Sequence, residues 1–131
     1  MIALLDTHVL LWWFEQPRRL AVAQRRVLAK AGDARAVGVS DVTLWEVALL
    51  FERGRIRLAL PLDEWLVRAT AAPVVERCGM SPAIAREMVD LSATRDWDPA
   101  DRIIVATARV LGVPVVTADN RIVESGLVRT V

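Results

Sequence analysis

A chain of 131 residues has the size of one compact domain with a real core, so a single domain spanning 1–131 is expected and a two-domain division is not. Apolar residues make up 54% of it, but charges break every run well short of the roughly 18 residues of a membrane span, and Met1 to Leu5 lacks the pattern of an export signal, so a cytoplasmic protein with no membrane association is expected. The net charge of +1 excludes a polycation that binds nucleic acid by bulk attraction, and a lone cysteine, Cys78, excludes an internal disulfide and a cysteine-rich zinc site.

The first element is a buried strand over Met1–Leu5, running into the polar turn Asp6-Thr7-His8. A helix follows over Leu10–Phe14 and stops near Pro17. Leu20–Ala31 has helical periodicity with Gly32 placed as its C-terminal cap, and Val37–Val39 is a second strand. Ser40 or Asp41 caps a third helix that carries Val42, Trp45, Leu49 and Leu50 at helical spacing and ends near Gly54. Leu62–Ala71 is a further helix, Val74-Val75 a third strand, and Ser81-Pro82 opens a helix through about Leu91. Asp98-Pro99 starts a helix so evenly apolar over Arg102–Leu111 that most of its sides should be buried, until Gly112 and Pro114 end it. Val113–Val116 is the fourth strand, Asp119 caps a short helix to Glu124, and Leu127–Val131 is a last edge strand.

Short apolar strands alternating with helices predict an α/β fold: a three-layer α/β/α sandwich around a mostly parallel sheet of four or five strands. In such sheets the working site lies at the carboxyl ends of the strands, where Asp6 and Asp119 fall. Each acidic residue also has a plainer reading. Asp6 and Asp119 are good N-caps, Glu46 is a solvated glutamate on a helix rim, and Asp101 complements the dipole of its helix. Against this, Glu46 shares a face with Val42, Leu49 and Leu50, and Asp101 lines up with Ile104, Val105 and Ala108, so both point toward the core. Four carboxylates gathered at one edge need protons or a cation, and magnesium, a hard ion that takes oxygen ligands, suits a site without imidazole or thiolate clusters. The expected chemistry is therefore metal-assisted phosphodiester hydrolysis. The lone His8 has no triad partner, and Trp12, Trp13 and Trp45 are expected in the core or an interface.

The segments LLDTHVLLWW at Leu4–Trp13, VTLWEVALLFERGRIRL at Val42–Leu58, DPADRIIVATA at Asp98–Ala108 and VVTAD at Val115–Asp119 resemble, in that order, the PIN-domain family, in particular its VapC-type toxins of toxin–antitoxin pairs. The resemblance implies a metal-dependent endoribonuclease with Asp6, Glu46, Asp101 and Asp119 on the family's four acidic positions and Thr117 as their companion. It implies Mg2+ as cofactor, with Mn2+ as substitute. It also implies a homodimer, an RNA substrate and a VapB-like antitoxin whose other end binds promoter DNA, so that DNA is met only through the antitoxin. One departure is Asp96, followed by Trp97, where similar chains with the DTH opening often carry a histidine. Arg102 and Arg53 are expected on a basic rim that holds the RNA backbone. Two rival readings are a PIN domain that binds RNA or antitoxin without cutting, and a phosphate-accepting signalling domain; Lys30 is badly placed for the second.

Overall fold

The computed structural model describes residues 1–32 and 34–131. Strand β1 (Leu4–Leu5) is flanked in parallel by β2 (Val37–Ser40) and by β4 (Val115–Val116), and β3 (Val75–Cys78) extends β2. The order is β3-β2-β1-β4, an all-parallel sheet of four strands.

Side chains of a strand alternate between the two faces of its sheet. Leu5, Val37, Val39, Val75 and Val116 accordingly pack with Val9, Leu10, Leu28, Val47 and Trp65 in one cluster, whereas Leu4 and Val115 pack with Ile104 and Ala108 in another. The first cluster draws on α1 (Thr7–Glu15), α2 (Val22–Ala29), α3 (Asp41–Glu52) and α4 (Leu62–Ala69); the second draws on α6 (Pro99–Leu111). Helices α5 (Pro82–Asp90) and α7 (Asn120–Ser125) pack on α6 through Ile84 and Ile122. Both faces are covered, which is the predicted sandwich and explains why the strands read as unbroken apolar runs. Gly38 lets β2 pass close beneath the N-terminus: a Cβ there would lie 2.4 Å from Met1 Sδ and 3.1 Å from Leu4 Cδ1.

Several boundaries differ from expectation for local reasons. Helix α1 begins at Thr7, three residues early, because Asp6 itself is the cap. Helix α2 ends at Ala29 with Lys30 at its C-cap, so Gly32 does not close it. Strand β3 runs on to Cys78; only Val75 is fully buried, since an edge strand need not alternate in apolar fashion. The last segment is not a regular strand: Thr130 makes a single parallel bridge to Val115, held by hydrogen bonds from the Val115 N–H to Arg129 and from the Val131 N–H to Val115. Gln24 clamps it, donating from Nε2 to the carbonyls of Thr117 (3.0 Å) and Val131 (3.3 Å). Helix α3 buries Thr43 and Val47, and Trp45 is 56% exposed. That helix is apolar almost all round, so periodicity alone leaves its inward face undetermined. Helix α6 closes as predicted on Gly112, whose φ of 67° is the left-handed conformation of a C-cap.

The chain visits β1, β2 and β3 in one direction, then crosses back to add β4 on the other side of β1. The strand order therefore reverses between β1 and β4, and the carboxyl ends of strands at such a point are where parallel sheets hold their ligands. No helix among the described residues is long and apolar enough to cross a membrane.

Candidate active site

Leu5 and Val116 are register partners, so the residues that follow, Asp6 and Thr117, emerge side by side at the switch point. Asp6 is only 4% exposed. Its Oδ1 accepts the Thr7 N–H at 2.7 Å and its Oδ2 accepts the Thr117 hydroxyl at 2.7 Å. Thr117 Oγ1 in turn accepts the Asp119 N–H at 2.9 Å, which places Asp119 beside the pair. Asp119 caps α7 by accepting the Arg121 N–H, and Asp6 caps α1, so the capping and site readings of both aspartates hold together. Burial pushes the Asp6 carboxyl above its usual range, while the bonds from Thr117 and Thr7 pull it back. Thr117→Val leaves a buried carboxylate oxygen unsatisfied and is expected to cost about 2 kcal/mol in urea unfolding. Thr117→Ser, which keeps the donor, should recover most of it.

Glu46 projects from the middle of α3, half-buried. Burial raises its pKa first; the nearby Thr7 hydroxyl opposes this, and the charge of Asp6 adds to it. Asp101, in the first turn of α6, is pushed up to about 7 by burial and then by the charges of Asp6, Glu46, Asp119 and Asp98. The mutual influence of these carboxylates is the electrostatic signature of proximity: Asp6, Glu46 and Asp119 all lie within electrostatic reach of Asp101. Asp98, read from sequence only as a helix cap, adds its charge to the same edge.

The sequence reading missed Arg121. Its Nη2 donates to Asp101 Oδ2 at 2.9 Å and its guanidinium lies 5.1 Å over the Trp97 ring, so a cation from α7 leans on the acidic edge. No periodicity marks such a residue; the only signal is its position two residues after Asp119. Arg102 is turned inward, donating from Nε to Thr94 Oγ1 at 3.2 Å and from Nη2 to the Met88 carbonyl at 3.3 Å, which ties α6 to the end of α5. Arg53 is exposed at the C-cap of α3, and Asp96 is exposed beside Trp97. Among the described residues no three His, Cys, Asp or Glu side chains form a ready metal cage.

Residues 3–126 match the model of the PIN domain family. The chain is 38% identical over 119 residues to Ribonuclease VapC22 of Mycobacterium tuberculosis, covering 91% of this chain and 88% of that protein. Among solved structures it is similar to VapBC2 from Rickettsia felis bound to a DNA fragment from its promoter, with TM-score 0.72 and 15% identity over 100% of this chain and 98% of that one. A toxin–antitoxin complex from Klebsiella pneumoniae gives TM-score 0.65 and 20% identity, covering 98% and 95% of the two chains.

Proposed function

This chain belongs to the PIN-domain family, and from that membership we propose that it is a metal-dependent endoribonuclease of the VapC type, cutting RNA at its four-carboxylate edge. The observation that carries the reading is the placing of Asp6, Glu46 and Asp119 within electrostatic reach of Asp101, where burial and mutual repulsion hold the carboxyls of Asp6, Glu46 and Asp101 above their usual range, so that protons or a cation would relieve them. The donor set is all carboxylate oxygen, which fits magnesium, an ion that takes one or two carboxylates and completes its shell with water and substrate phosphate. Asp6 and Asp101 would hold it, with Glu46 and Asp119 completing the site. Bound there, the ion supplies an activated water and neutralises charge on the phosphate.

The chain's own residues do the positioning. Thr117 and the Thr7 N–H fix both Asp6 oxygens, and the first turn of α6 carries Asp101 within electrostatic reach of them. Glu46, whose carboxyl is held above its usual range, is suited to accept a proton at its carboxylate oxygen. The same reading includes work in the cytoplasm, a homodimer and a VapB-like antitoxin; the last is supported by solved neighbours that are toxin–antitoxin complexes.

The test is cleavage of defined RNAs by wild type and Asp6→Ala, with magnesium, with manganese and with chelator. Cutting is expected only from wild type supplied with an ion, with Asp6→Ala reduced at least about a hundredfold. Equal activity in all samples overturns the proposal. The Arg121–Asp101 pair favours a second reading, a PIN domain that binds without cutting; wild type that stays inactive with either ion while still binding it would establish that one.

A further inference from the structure

A cleft of about 580 Å³ lies between α1 and the loop after α3, with His8, Trp12, Arg19, Arg55 and Arg57 in its walls. We infer that this cleft is a subsite for one nucleotide of the RNA strand next to the cut, its base stacked on the Arg19 guanidinium that lies over Trp12 and its phosphates held by Arg55 and Arg57. The inference rests on the RNA-cleaving reading for its ligand.

Continuity is the first argument. His8 follows Asp6 by two residues, lies within electrostatic reach of both Asp6 and Glu46 and also lines the cleft, so one residue joins the cleft to the acidic site. Size is the second, because pockets of about 300–1,000 Å³ suit ligands of nucleotide dimensions. Charge is the third. The wall carries three arginines and one carboxylate, Glu15, which already accepts the Trp65 indole N–H at 2.8 Å and the Ala59 N–H at 3.2 Å. Among the described residues no carboxylate forms an ion pair with Arg19, Arg55 or Arg57. All three arginines are exposed, so their guanidiniums can meet an anionic ligand.

The fourth argument separates a nucleotide from any other anion. Trp12 is half-buried against the core, so its ring is fixed, and Arg19 lies over it with Cζ 4.5 Å from the ring centroid. The His8 ring stands 6.2 Å from the same indole, tilted by 56°. A rigid aromatic wall bordered by cations is the pairing that binds single strands, since every nucleotide offers both a π-face and a phosphate. The expectation that Trp12 lies in the core or an interface describes the side of its ring packed on the core; the other side carries Arg19.

The experiment measures anisotropy of a labelled single-stranded hexaribonucleotide with the full chain in chelator, alongside steady-state cleavage with magnesium. Arg55→Glu/Arg57→Glu, on exposed residues, is expected to weaken binding at least tenfold and to flatten its salt dependence. Trp12→Leu should weaken it about tenfold, and Trp12→Phe, which keeps a stacking face, should retain most of it. In cleavage the losses should fall on KM, with kcat within about twofold of wild type. Folded variants with wild-type binding and KM overturn the subsite while leaving the nuclease reading standing. Wild type that binds RNA through these residues but never cuts supports the subsite and removes the nuclease reading. A glutamate-rich peptide that binds through the same residues where RNA does not makes the cleft a protein-docking site and overturns the inference.

Discussion

Asp101→Asn is expected to lower RNA cleavage at least about a hundredfold and, in the same molecule, to raise the thermal midpoint measured in chelator. The two effects share a cause. At neutral pH Asp101 sits among Asp6, Glu46, Asp119 and Asp98, which together with burial push its carboxyl up to about 7. An asparagine keeps the shape and an oxygen to accept the Arg121 bond and loses there only a solvent-screened ion pair, while it removes the charge that repels four neighbouring carboxylates and would hold the ion. Solvent reaches part of this edge, so the relief is screened to about 1 kcal/mol, or roughly 4 °C in a domain of this size. Single-turnover cleavage and calorimetric melts read the two effects separately. A variant that loses activity together with several degrees of midpoint would show Asp101 to be a structural residue instead.

The second large effect is pH-dependent. In chelator, the thermal midpoint is expected to fall as the medium goes from about pH 5 to about pH 8. The pKa of Asp101 is raised from 3.8 to about 7 on folding, so across that interval the folded chain keeps a proton that the unfolded chain has lost. Stability is then fully present below the unfolded value and is lost as pH rises through the folded one. Asp6 and Glu46 shift in the same direction, each chiefly through burial, and deepen the fall. Millimolar magnesium should restore the midpoint most at the alkaline end and least at the acid end, because ion and protons compete for the same oxygens. A midpoint that rises steadily with pH in chelator would mean that these carboxylates are stabilised as anions by the fold itself.

Much of this was legible in the chain because the strongest signals are local. The run Leu4-Leu5 followed by Asp6, and Val115-Val116 followed by Thr117, declare buried strands ending in polar turns, and the parallel rule then sends both ends to one edge. Asp98-Pro99 and Gly112 mark the two ends of α6, because a cap and a left-handed glycine depend on backbone geometry alone. The weaker boundaries fall where local chemistry is ambiguous. Lys30 and Ala31 continue a helical pattern that the structure ends at Ala29, and the Leu127–Val131 segment reads as a strand but reaches only a single bridge clamped by Gln24.

The residues by themselves placed Asp6 and Asp119 directly after strands and Asp101 in the first turn of its helix, since these are matters of turn and cap chemistry. Tertiary structure alone decided what else stands with them: the inward face of the uniformly apolar α3, the inward bonds of Arg102, the reach of Arg121 across to Asp101, and the arginine-lined cleft beside Trp12. The reason is distance along the chain. A cap is settled within three or four residues, whereas the partner of a long, flexible arginine is settled by whichever distant element folds up against it.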